Sequence, residues 1–135
     1  MGRTGTVADV MTARVTSLAP DRSVLDAVSL FGECGFRHLL VVDGDGNLAG
    51  VLSDRDALRS MARTHDPERT LVATVMARDL VVATPEMPLA SAIELLVFHR
   101  INCLPVVDEA NRACGIVTTT DLLKAFRNLL EPGPS

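Results

Sequence analysis

Leu39-Leu40-Val41-Val42-Asp43 and Leu104-Pro105-Val106-Val107-Asp108 stand 65 positions apart, the same distance that separates Met11 from Met76. At that one offset the chain aligns with itself without a gap. Val7-Ala8-Asp9-Val10-Met11 falls on Val72-Ala73-Thr74-Val75-Met76, Pro20 on Pro85 and Ala27 on Ala92. Gly50-Val51 falls on Gly115-Ile116, Ser53 on Thr118, and Asp56-Ala57-Leu58 on Asp121-Leu122-Leu123. Chance similarity does not hold one register through every motif, so the sequence is an internal duplication.

Each copy carries the same predicted elements. A short helical turn opens it, capped by Thr6 in the first copy and Thr70 in the second. A strand follows over 15–18 or 80–83. Val24, Ala27, Val28 and Phe31 then recur at helical spacing, as do Leu89, Ala92, Ile93 and Leu96. Ser23 is placed to cap the first of these helices and Gly35 to end it. Hairpin strands are expected over 38–42 and 48–53, joined by the turn formers of 43–47, and over 103–107 and 113–118. A last helix follows each hairpin, over 54–63 and 119–130. The order is β-α-β-β-α twice, an α/β (α+β) chain. One copy has too few elements to cover its own apolar sheet face, so the two are expected to pack as one pseudo-two-fold module. The first repeat is read over 6–64, the second over 70–130, with a polar linker at 65–69 and a disordered tail at 131–135.

Composition narrows the function classes. At 135 residues and 47% hydrophobic, the chain has enough apolar matter for a core. Thirteen Lys and Arg against 17 Asp and Glu leave no basic footprint, so nucleic acid is not expected as a partner. No apolar run approaches the roughly 20 residues of a membrane span, and no signal peptide opens the chain, so a cytoplasmic location is expected. Cys34, Cys103 and Cys114 have neither disulfide-framework nor zinc spacing and read as small buried side chains. Asp43, Asp45, Asn47 and Asp54 imitate part of a calcium loop but lack its Gly and its bidentate Glu. No cysteine has a base placed by sequence to activate it. No metal, cofactor or enzymatic activity is expected.

The ordered motifs V-x-x-V-M, L-x-V-V-D and G-V-x-S-x-x-D, with L-P-V-V-D and G-I-V-T-T-T-D in the second copy, resemble the cystathionine β-synthase (CBS) domain. The pair resembles a Bateman module over about residues 6 to 127. That resemblance implies binding of an adenine nucleotide (AMP, ADP or ATP), or of S-adenosylmethionine or NAD, in clefts between the copies. Carried over by motif, one cleft would combine Met11, Thr16, Arg37 and His38 with Thr118, Thr120 and Asp121. The other would combine Ser53, Arg55 and Asp56 with Met76, Val81, Asn102 and Cys103. Ser53 and Thr118 stand where a strand hands over to a helix, whose free N–H groups favour anions. Asp56 and Asp121 offer carboxylates to ribose hydroxyls. The same residues also serve as helix caps, and both roles are expected together. The basic pair Arg37-His38 has no counterpart at Asn102-Cys103, so the Asp121 cleft is preferred.

The expected role is a regulatory module that signals to a protein partner in trans or through self-association. The alternative is a structural dimerisation or docking module with empty clefts. The resemblance also implies a homodimer through outer helices, with Leu30, Leu95, Leu96 and Phe98 as the apolar residues that would meet.

Overall fold

The structure is a computed structural model that describes residues 5–13, 15–34 and 37–130. The tail at 131–135 and the helix stop at Gly35 lie outside the described residues. Two compact units are present. Unit one consists of described residues within 1–14, 81–109 and 114–135; unit two consists of 15–80 and 110–113. The opening helix of the first copy therefore packs in the unit that holds the second hairpin. Repeat in sequence and packed unit are offset from each other.

In unit two, β1 (Ser17–Leu18) pairs parallel with β2 (His38–Val42), which pairs antiparallel with β3 (Leu48–Ser53). A bulge between Val41 and Val42 shifts the hairpin register, with Val41 opposite Gly50 and Val42 opposite Leu48. Helices α2 (Val24–Cys34) and α3 (Asp54–Arg63) cover the sheet. Leu18, Ala27, Leu39, Val41, Leu52, Ala57 and Val72 form its core, with Val28 and Phe31 packed against it. Ser23 caps α2 as expected: its hydroxyl accepts from the Asp26 N–H at 3.1 Å. A 3-10 turn at Val72–Thr74 stands where the second helical opening was expected.

Thr70 does not cap that turn. Its hydroxyl lies 2.8 Å from the Thr64 hydroxyl and donates to the Asp66 carbonyl at 2.9 Å, so it is engaged in the linker. The first copy keeps its cap residue: Thr6 precedes α1 (Val7–Val10), and its N–H donates to the Asp9 carboxylate at 2.9 Å.

Unit one contains α1, α4 (Leu89–His99), the hairpin of β4 (Cys103–Val107) with β5 (Ala113–Thr118) from its second residue on, and α5 (Thr119–Leu130). Val7, Ala83, Leu89, Ala92, Leu96, Leu104, Val106, Val117 and Leu122 form its core. The strand expected over 80–83 is reduced to one parallel bridge between Ala83 and Val106. Proline is the cause. Ala83 donates to the Pro105 carbonyl and accepts from Val107, but the next rung would need an N–H from Pro105, which has none.

The same two bonds anchor each opening segment. Val7 N–H donates to the Met87 carbonyl and Ala8 N–H to that of Pro85; 65 residues on, Val72 donates to Arg22 and Ala73 to Pro20. Val7 and Val72 are both fully buried.

Candidate functional site

In each unit the last hairpin strand runs directly into a helix, and the S/T-x-x-D motif occupies that junction. In unit two, the Ser53 hydroxyl accepts from the Asp56 N–H at 3.0 Å. In unit one, the Thr118 hydroxyl accepts from the Asp121 N–H at 3.2 Å, and the Asp121 carboxylate takes the Thr118 N–H and hydroxyl at 2.9 and 3.0 Å. Both motifs thus act as caps. The helix starts are tied down alike, by Asp54 N–H to the Arg37 carbonyl and by Thr119 N–H to the Asn102 carbonyl, each at 2.9 Å.

The two junctions differ at one amide. On α3, the Arg55 N–H is taken by the Asp54 carboxylate at 2.7 Å, so the first three N–H groups are all spent inside the protein. On α5, Thr119 replaces that Asp and donates its hydroxyl to the Asn102 carbonyl at 3.3 Å. The Thr120 N–H is left without a partner among the described residues. An unpaired amide in the first turn of a 12-residue helix attracts negative charge. Asp54 also places a negative charge where an anion would approach α3.

The methionines of the V-M motifs sit on glycine. A Cβ on Gly115 would lie 2.8 Å from Met11 Sδ and 2.9 Å from the Thr12 carbonyl; on Gly50 it would lie 2.5 Å from Met76 Sδ and 2.8 Å from the Ala77 carbonyl. Bridges between Thr12 and Ile116 and between Ala77 and Val51 lock these contacts. Met11 therefore lies in the same unit as Thr118, Thr120 and Asp121, on the glycine three residues before Thr118, and Met76 in the same unit as Ser53, Arg55 and Asp56, on the glycine three residues before Ser53. Thr16, Arg37 and His38, assigned by resemblance to the first of these groups, belong to unit two. Val81, Asn102 and Cys103 belong to unit one.

Arg37 is largely exposed, 4.0 Å from Asp54. Burial holds the His38 imidazole below its usual pKa; Asp54 and Asp56 oppose this, and Arg37 reinforces it. Burial pushes the Cys103 thiol up to about 11. Cys34, expected to be buried, is exposed near the end of α2. Asp43 makes a turn: one carboxylate oxygen accepts from the N–H groups of Asp45 and Asn47 at 2.9 and 3.0 Å. Among the described residues, no group of three or more His, Cys, Asp or Glu could hold a metal ion. No helix there is long and apolar enough to cross a membrane.

Sequence reading missed the Thr120 amide and the glycine seats. The first was visible as the change from Asp54 to Thr119 between copies. The second rests on packing that no local pattern encodes.

Two β-α junctions of the same construction, each with its V-M segment seated on a hairpin glycine, define a tandem-repeat α/β module of two small sheets and their helices. The CBS domain family model matches residues 7–63 and 72–128, so the chain belongs to the CBS domain family. It is 39% identical over 117 residues to the CBS domain-containing protein YhcV of Bacillus subtilis, covering 86% of this chain and 81% of that one. A putative acetoin utilization protein (AcuB) from Vibrio cholerae superposes with a TM-score of 0.87 at 30% identity, covering 96% of both chains. CBSX2, solved in complex with AMP, superposes at 0.83 with 29% identity, covering 94% of this chain and 99% of that one. The chain spans only 23% of another relative, homoserine O-acetyltransferase of Methanococcoides burtonii, at 34% identity.

Proposed function

We propose that this protein is a regulatory module that binds an adenosyl ligand and passes the occupancy on to a protein partner. The observation that carries the reading is the α5 junction, where the unpaired Thr120 amide stands one residue from the Asp121 carboxylate. That pair offers a donor for a phosphate and an acceptor for ribose hydroxyls. AMP in the related CBSX2 structure supports the ligand class. Met11, Thr16, Arg37 and His38 are proposed to complete the binding set, with Thr118 holding Asp121 in place. Ser53, Arg55, Asp56, Met76, Val81, Asn102 and Cys103 form the lesser set, because the α3 amides are spent.

A ligand that binds only the folded protein raises its melting temperature. Thermal-shift titration with AMP, ADP, ATP, S-adenosylmethionine and NAD tests the reading. The absence of Trp and Tyr makes a co-purified nucleotide conspicuous at 260 nm. A protein that none of the five stabilises, and that purifies without 260 nm absorbance, would be a structural interaction module instead. The exposed Leu123, Leu129 and Leu130 of α5 favour that second reading.

A further inference from the structure

The two hairpin turns are joined to each other, and the join has the symmetry of the duplication. Leu48 N–H donates to the Asn111 carbonyl at 3.1 Å, and Ala113 N–H donates to the Gly46 carbonyl at 3.3 Å. Leu48 and Ala113 are equivalent at the repeat offset of 65, and so are Gly46 and Asn111. Asn47 and Arg112, also equivalent, stand opposite each other as an isolated antiparallel bridge. The two bonds flank that pair, which makes it a non-hydrogen-bonded pair, the kind with the shorter Cα separation of about 4.5 Å.

Both turns are shaped for this join. Gly46 has φ +88° and Asn111 φ +65°, left-handed values that glycine takes freely and asparagine more readily than most side chains. Where the first copy has glycine, the second has a side chain that adds a tether: Asn111 Nδ2 donates to the Leu48 carbonyl at 3.5 Å. All these residues belong to unit two, whereas β5 from Cys114 onward belongs to unit one.

β3 begins at Leu48 and ends at Ser53; β5 begins at Ala113 and ends at Thr118. Each strand is therefore fixed at its first residue by the bridge and carries a junction cap at its last. A paired strand with a buried face cannot slip by one residue without turning its core side chains to solvent. Displacing either strand end along its axis thus pulls on the bridge, and through it on the other strand.

We propose that the Asn47–Arg112 bridge is a coupling clasp, through which a change at the Asp121 junction reaches the Ser53 junction. Such coupling is reciprocal, so a change at Ser53 returns by the same path. The clasp gives the regulatory reading a route for its signal, and it rests on that reading only for the identity of the ligand.

The test records backbone amide shifts of the ¹⁵N-labelled full chain in its folded state, where a lowered stability does not register. Asp121→Ala releases the Thr118 end of β5, and it should displace amide signals over 48–53 as well as those of α5. Ala113→Pro removes one bridge donor at a strand start, where proline is tolerated. In that background Asp121→Ala should still displace the α5 signals and leave those over 48–53 unchanged. Gly46→Val, which cannot keep φ +88°, breaks the bridge from the other turn and stands in if Ala113→Pro does not fold. Asn47→Cys with Arg112→Cys, in a Cys34→Ser chain carrying the broken bridge, should form a disulfide on mild oxidation, because the Cα separation suits one. The disulfide should restore the response over 48–53, and reduction should remove it. Signals over 48–53 that ignore Asp121→Ala in the intact chain overturn the proposal. So does a response there that survives the broken bridge. Saturating AMP should displace the same signals; AMP that fails to bind while the Asp121→Ala response is present overturns the adenosyl reading alone.

Discussion

Thr118 holds one carboxylate oxygen of Asp121 twice, through its backbone N–H and its hydroxyl, and leaves the other oxygen without a protein partner among the described residues. The cap thus fixes the carboxylate while keeping an acceptor open. Asp121→Ala should remove both functions. The lost cap lowers stability by about 0.5–2 kcal/mol. The lost acceptor, a hydrogen bond to a charged group, weakens AMP binding roughly ten- to a hundredfold. Asp56→Ala should weaken AMP binding less, since the α3 amides have no donor to offer. Calorimetry on both variants, held below their melting temperatures, measures the difference; equal losses would show that the two junctions serve AMP alike.

Gly50 and Gly115 have close neighbours on the side where a Cβ would stand, so alanine at either must displace a methionine and strain a backbone bridge. Gly115→Ala and Gly50→Ala should each lower stability by about 1–3 kcal/mol. Gly32 is the contrast. It lies inside α2 with nothing within 4 Å of its would-be Cβ. Gly32→Ala should stabilise by about 0.5–1 kcal/mol, through helix propensity alone. Denaturant melts of the three variants decide, and a neutral Gly115→Ala would mean that the Met11 seat is loose.

Local pattern carried most of the architecture. Both hairpins and the helices α3 and α5 run over the residues assigned to them: the helices because each has one face in a core and the other toward water, the strands β2 and β4 because short apolar runs bounded by turn formers are buried nearly along their length. What sequence could not show was decided at a distance. Pro105 silences a rung for a strand more than 20 residues upstream, and Thr70 is diverted from capping by a hydroxyl six residues before it. Exposure followed the same rule. Leu96, read as an outer residue, is buried in the core; Leu30 and Leu95 pack partly against theirs, and only Phe98 of that set is exposed. The candidate site was legible as motifs. The difference between its two junctions came down to Asp54 against Thr119, a change meaningful only once the helix start is seen.

His38 gives the protein an acid-sensitive step. Burial keeps its folded-state pKa below the ordinary 6.5, so the unfolded chain binds the proton more readily. Its contribution to stability is full above about pH 6.5 and is lost as pH falls toward the lowered value. The melting temperature should therefore drop between about pH 7.5 and 5.5. His38→Gln should flatten that slope; an unaltered slope would assign the loss to other groups.

The three cysteines should separate by reactivity. Cys103 is buried with its pKa raised to about 11, Cys114 is half-buried with its thiol also raised, and Cys34 is exposed. Because the thiolate is the reacting form, an aromatic disulfide reagent at about pH 8 should modify one thiol rapidly. Cys34→Ser should remove that phase, and Cys103 should react only when denaturant opens the core. Two fast thiols in the native protein would contradict this order.

Self-association is the remaining expectation. On α5, Leu123, Phe126 and Leu130 follow one another at helical spacing and are all exposed, Leu123 at 63% and Leu130 at 80%. Val97 and Phe98 are exposed at the end of α4. Large apolar side chains grouped in this way are uncommon on a monomer, and a two-fold dimer is the commonest way to cover them. The protein should be a homodimer by light scattering at micromolar concentration. Leu123→Glu with Leu130→Glu should convert it to monomer, because two like charges would face their copies across the axis. Leu58→Glu, at the α3 position matching Leu123, lacks such neighbours on its helix and should leave the dimer intact. A wild-type monomer, or a dimer indifferent to the double change, would remove α5 as the interface.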